Sequence, residues 1–236
     1  MEAKQIKQAI QWRQLIDTLI DPNGYADLVL QGGYVINVIT REIYEADVAI
    51  KGEYILLIGD ASDKIGPNTT VENVQGKFVS PGFIDSHMHF ESAMLTVTEF
   101  SKLSIPTGTT TLVADPHEIG NVLGVVGMQA MIEEAKTLPN RVYYAVPCLT
   151  PDAPGLETAG YDVTSKDMEV LLNDPHVQGI GEIQGFSNVG PVFDHAPHII
   201  DDLLASVAYA QSIGKTVDGN APGLFGKELA AHIISG

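Results

Sequence analysis

Two histidines one residue apart, His87 and His89, sit near the end of the run Pro81-Gly82-Phe83-Ile84-Asp85-Ser86-His87-Met88-His89-Phe90-Glu91. Alternate side chains of an extended strand share a face, so Asp85, His87, His89 and Glu91 are expected to project to one side. Two imidazoles placed that way can grip one divalent metal ion. A bare His-x-His is also common as two unrelated histidines, because short motifs have many false matches. Position favours the chemical reading here. The pair follows an apolar strand introduced by Pro-Gly, and in parallel βα architectures reactive groups gather at the C-terminal ends of the strands.

Three further strand ends carry polar residues. Ala114-Asp115-Pro116-His117-Glu118 offers a carboxylate and an imidazole of matching parity, Asp115 and His117, both good ligands for ions such as Zn²⁺ or Mn²⁺. The plainer alternative is that Asp115 caps the next helix and His117 is exposed. The second histidine of a His-Glu-x-x-His metalloprotease helix is missing after His117-Glu118, which removes that chemistry. Gly179-Ile180-Gly181-Glu182-Ile183 places Glu182 in an otherwise apolar and glycine segment, where a carboxylate needs a cation or hydrogen bonds to offset its desolvation. A metal would serve, and so would a structural ion pair. Asp218 and Asn220, in Asp218-Gly219-Asn220-Ala221-Pro222-Gly223, are expected to face the same cleft, while solvated or capping roles suit His195, His198 and His232.

These residues need a scaffold, and the sequence supplies its rhythm. Apolar residues from Ile6 to Ile20 recur at helical spacing with Lys7 and Arg13 between them, predicting an amphipathic helix ended by Asp21-Pro22-Asn23-Gly24. Short apolar runs punctuated by Gly32-Gly33 and Gly66-Pro67-Asn68 then predict a small β-rich domain. Beyond Pro81-Gly82, strands are expected at 83–86, 109–114, 141–146, 179–183 and 215–218, with helices between them at 126–136, 165–173 and 199–213. Repeated strand then helix argues for parallel βα units. The predicted fold class is α/β: about five βα units, either an open doubly wound sheet or a partial (βα)8 TIM-like barrel, preceded by the helix and the β-rich domain. The boundaries expected are 1–22 for the helix, 23–79 for the β-rich domain and 80–236 for the metal-bearing part.

Composition narrows the partners. Among 236 residues, 30 acidic against 13 basic side chains give a net charge of −17, which repels phosphate backbones and anionic membranes. No nucleic-acid polymer and no membrane are expected as partners, although such acidity also simply aids solubility. The single cysteine, Cys148, precludes an intrachain disulfide and the paired-cysteine zinc site of the cytidine-type deaminases. No signal peptide is read at the start, so a cytoplasmic location is expected.

The segments 81–94, 108–124, 157–160, 181–182 and 218–226 together resemble the bacterial adenine deaminase family. Pro-Gly-Phe-Ile-Asp-x-His-x-His marks only the amidohydrolase superfamily, including dihydroorotases and deacetylases, whereas Ala114 to Gly124 is more specific to adenine deaminases. The resemblance implies a metal-bearing (βα)8 barrel with a small β-domain completed by both ends of a longer chain. It implies metal ligands His87, His89 and Glu182, the last bridging, and manganese or iron, with zinc also possible. Glu182, Asp115 and His117 are then the candidates for catalytic duty. The reaction implied is hydrolysis of adenine, a small-molecule purine base, to hypoxanthine and ammonia in purine salvage. A homo-oligomer is compatible with it.

Two departures stand out. Asn220 occupies the histidine position of the family pattern Asp-Gly-His-Ala-Pro-Gly, and an amide is the weaker ligand. The family's next motif, Ser-Asp-His-Glu, and its eighth-strand aspartate would fall beyond Gly236, so this chain is expected to be the N-terminal part of a longer enzyme with little activity by itself. A truncated relative without catalysis, or another amidohydrolase activity, is the alternative.

Overall fold

A computed structural model describes residues 3–151, 157–184 and 197–235. The chain divides into two compact units, Met1–Pro81 and Gly82–Gly236.

The first unit opens with helix α1 (Ala3–Ile20). An Asx turn closes it, in which the Asp21 side chain accepts from the Asn23 amide at 2.8 Å. Its apolar positions are open to solvent, with Ile10, Trp12, Ile16 and Ile20 all more than half exposed. A five-stranded sheet follows, built from β1 (Leu28–Asn37), β2 (Glu42–Lys51), β3 (Tyr54–Gly59), β4 (Thr70–Asn73) and β5 (Phe78–Val79), in the order β3-β2-β1-β4 with β5 also on β1. Gly32-Gly33 does not end β1, as turn punctuation would. The register of β1 on β2 shifts there, and the Gly32 amide donates to the Asp47 carboxylate at 2.9 Å. A bulge absorbs the glycines and lets one long strand pair along its length with both β4 and β5.

The second unit is a parallel half-barrel of five strands: β6 (Phe83–Met88), β7 (Thr109–Ala114), β8 (Arg141–Pro147), β9 (Val177–Gln184) and β10 (Thr216–Asn220), in the order β10-β9-β8-β7-β6. This meets the α/β expectation and selects the partial barrel's sequential strand order. Among the described residues five α-helices accompany the strands: α2 (Val97–Ser104), α3 (His117–Ala135), α4 (Ser165–Leu172), α5 (Pro197–Ser212) and α6 (Gly226–Ile234). Buried Phe90, Leu112, Met128, Tyr144, Met168 and Ile180 form the heart of its core. Tyr144 keeps its hydroxyl satisfied by donating to the Met131 carbonyl at 2.8 Å.

Helix α3 starts at His117, nine positions before the helical periodicity becomes legible at Val126. Gly124 explains the difference. It breaks the helix with φ 59° and ψ −145°, and a Cβ there would lie 2.3 Å from the Tyr161 ring. The apolar phase of the second half therefore does not continue into the first. Helix α2 carries its own start signal, the sequence Thr96-Val97-Thr98-Glu99, and the Thr96 hydroxyl accepts from the Glu99 amide at 3.3 Å.

Candidate metal centre

Strand β6 delivers His87 and His89 to one point: their Nε2 atoms are 3.2 Å apart. Strand β9, separated from β6 by β7 and β8, delivers Glu182 to the same point. Its Oε1 lies 3.2 Å from His87 Nε2 and its Oε2 lies 3.5 Å from His89 Nε2. Between them, the end of β7 contributes Asp115, fully buried, and His117, 4% exposed. His117 Nδ1 is 3.8 Å from Asp115 Oδ1 and 3.7 Å from Glu182 Oε2. Two overlapping groups result, His87–His89–Glu182 and Asp115–His117–Glu182, each with ligand atoms within 4.8 Å of one another. Glu182 belongs to both.

The donor set suits a divalent cation. Imidazole nitrogens and carboxylate oxygens are the usual ligands of Zn²⁺, Mn²⁺ and Fe²⁺, and five acidic or imidazole side chains converging from three strand ends need positive charge among them. Room for this packing comes from Gly181, because a Cβ at that position would lie 2.5 Å from Asp115 Oδ2 and 2.7 Å from the Ala145 carbonyl oxygen. Glu182 itself has φ 38°, a left-handed conformation that a non-glycine residue rarely takes.

Several expectations change on this geometry. Parity does not carry Glu91 into the cluster, because β6 ends at Met88 and Glu91 begins a 3₁₀ turn, Glu91–Ala93. Its Oε1 accepts instead from the Ile119 amide at 3.1 Å, binding the first turn of α3 from 28 residues away. Burial holds the Glu91 carboxyl above the usual carboxylate range. Asp115 is not the helix cap: Pro116 holds the cap position with no side-chain hydrogen bond, and His117 is buried rather than exposed. Asp218 and Asn220 part company. Asn220 Nδ2 donates to Glu182 Oε1 at 3.0 Å, whereas Asp218 lines a cavity of about 300 Å³ with Val217 and His232 of helix α6. His195 lies outside the described residues, as does the side chain of His198. Burial pushes the Cys148 thiol up to about 12, which keeps it protonated and inert at neutral pH.

One neighbour of the centre has no counterpart in the sequence reading. Glu118 Oε2 lies 3.1 Å from His89 Nδ1, and its Oε1 accepts from the Ser92 hydroxyl at 3.1 Å. The adjacent His117-Glu118 pair at a helix start was the available signal.

The fold and the histidine–carboxylate centre are those of a metal-dependent hydrolase class, and the family model described as the amidohydrolase family matches residues 78–220. The chain belongs to the amidohydrolase family. Adenine deaminase 1 of Carboxydothermus hydrogenoformans is 67% identical to it over 236 residues, 100% of this chain and 39% of that protein. The adenine deaminase of a Ruegeria species is 42% identical over 94% of this chain and 36% of its own length. The chain thus spans well under half of the relatives it matches. Among solved structures, atrazine chlorohydrolase from Arthrobacter aurescens complexed with zinc superposes with a TM-score of 0.56 at 18% identity, covering 79% of this chain and 51% of that one. A D-aminoacylase structure superposes with a TM-score of 0.54 at 21% identity, covering 89% and 48%. At such identities the likeness is one of fold. No helix among the described residues is long and apolar enough to cross a membrane.

Proposed function

We propose that this chain supplies the first part of the catalytic barrel of an adenine deaminase, which hydrolyses the 6-amino group of adenine to give hypoxanthine and ammonia in the cytoplasm. The observation that carries this reading is the 67% identity across the whole chain to a protein named adenine deaminase. The organisation proposed with it is a helix over 1–22, a β-rich segment over 23–79 and the metal-bearing portion from 80 onward.

His87, His89 and Glu182 are the residues that would hold the metal, manganese or iron in the first instance. When bound, such an ion supplies a Lewis acid and lowers the pKa of water so that hydroxide exists near neutrality. The remaining work falls to the protein. Glu182 spans both groups of ligand atoms, and its position is held by the Asn220 amide. Asp115, buried beside His117, is placed to take and return protons near the reacting atoms.

The test is release of ammonia from adenine by the natural full-length protein loaded with Mn²⁺ or Fe²⁺. A protein that holds metal and leaves adenine unchanged would refute the substrate assignment.

A second reading, a relative without catalysis, has Asn220 on its side: the amide points its nitrogen, which has no lone pair to give a metal, at Glu182. Replacing Asn220 with His is expected to raise the metal content measured by elemental analysis. The imidazole would then stand where the amide nitrogen now lies, 3.0 Å from Glu182 Oε1. Metal content equal to that of the unaltered protein would mean that position 220 serves Glu182 alone.

A further inference from the structure

We propose that Glu118 is a positioning residue for His89, fixing the tautomer and ring orientation that present Nε2 to the metal. The inference rests on the metal-binding part of the reading above and is independent of adenine as the substrate.

A neutral imidazole carries one N–H, and which nitrogen bears it is set by the partner each nitrogen meets. An ionised carboxylate can only accept. With Glu118 Oε2 at 3.1 Å, His89 Nδ1 is the atom that donates, which leaves the lone pair on Nε2. That atom is the one that faces His87 Nε2 at 3.2 Å and Glu182 Oε2 at 3.5 Å.

The carboxylate is itself held. Its other oxygen accepts from Ser92 at 3.1 Å, and its backbone sits in the first turn of α3, where the helix dipole favours negative charge. One residue further on, the Ile119 amide donates to Glu91 at 3.1 Å. The segment after β6 and the start of α3 are therefore tied by three bonds: His89 to Glu118, Ser92 to Glu118, and Ile119 to Glu91. A helix start fastened to the strand end that carries His89 is what keeps the ring from turning. Since the Glu118 side chain is 46% exposed, the pair adds little to fold stability, and its effect should appear in metal binding.

The experiment compares E118A and E118Q with the unaltered protein, all natural full-length, by competition for Mn²⁺ against a chromophoric chelator and by thermal unfolding without metal. Loss of such an orienting partner typically weakens metal binding about 10–100-fold, and that loss is expected in E118A with an unfolding midpoint unchanged in the metal-free state. E118Q keeps the reach and one accepting oxygen, so it is expected to recover most of the affinity. Unaltered affinity in E118A, or an equal loss in E118Q, would overturn the proposal. Should E118A fail to fold, E118N takes its place, since its polar group is one methylene too short to reach His89. Adenine turnover is followed on the same samples. If E118A weakens Mn²⁺ binding in a protein that does not act on adenine, the positioning role stands and the substrate assignment falls. Turnover with undiminished affinity in E118A gives the reverse.

Discussion

Replacing Glu182 with Ala is expected to strip the natural full-length protein of the metal proposed above and to lower the proposed adenine turnover by at least the roughly 10²–10⁴-fold that loss of a catalytic acid or base removes. The expectation comes from where the carboxylate stands. One oxygen lies 3.2 Å from His87 Nε2, and the other lies 3.5 Å from His89 Nε2 and 3.7 Å from His117 Nδ1. Removing it takes a ligand atom from both groups at once, whereas removing His87 leaves Asp115, His117 and Glu182 intact. It also removes the one carboxylate that faces His87, His89 and His117 together. Elemental analysis after gel filtration, together with ammonia release, reads both effects. A variant that keeps its full metal content would show that Glu182 is not a ligand.

The substitution of Gly181 by Ala should be nearly as damaging, although it removes nothing. Its new methyl group would lie 2.5 Å from Asp115 Oδ2 and 2.9 Å from the Ala145 Cβ, while the Ala145 carbonyl oxygen, at 2.7 Å, is part of strand β8. The backbone of a central strand yields less readily than a side chain, so the Asp115 carboxylate is the group that moves. A misplacement of about 1 Å at reacting groups can cost roughly 10² in rate, and overpacking of this kind costs about 1–3 kcal/mol of stability. The expected result is a folded, somewhat less stable protein with turnover down about a hundredfold by the same principle. Turnover equal to that of the unaltered protein would mean that Asp115 does not need its present position.

The contrast between these two neighbours shows what could be read from the chain. Strand β7 was legible to the residue at 109–114, because three β-branched threonines and the apolar run Leu-Val-Ala stand between a glycine and a polar turn. Glu182 stood out for the opposite reason, as a charge among apolar residues and glycine. Gly181 beside it reads as filler in sequence, since the reason for its lack of a side chain is a carboxylate on another strand. Glu91 misled for a similar reason. Alternation predicts a shared face only as long as the strand lasts, and the hydrogen bond that captures Glu91 comes from an amide 28 residues on. Helix α2 is absent from the expected elements although Thr96 to Glu99 has the spacing of a capping signal and its eight residues equal the length of α4, which the sequence does show. The His89–Glu118 contact is hidden for a different reason: His117-Glu118 has the look of a protease motif that lacks its second histidine, and its true partner lies 29 residues before Glu118.

The backbone at Glu182 has one more consequence. Its φ of 38° is a conformation that costs an ordinary residue about 1–2 kcal/mol and costs glycine almost nothing. Glycine at that position would leave the fold more comfortable and the centre without its shared carboxylate. Selection for thermal resistance alone, as in a directed-evolution experiment with no activity screen, should drift away from glutamate there. A lineage that keeps it is bearing a standing tax on stability, and the residue's persistence among thermophilic relatives would then report on the chemistry more directly than any conserved core position.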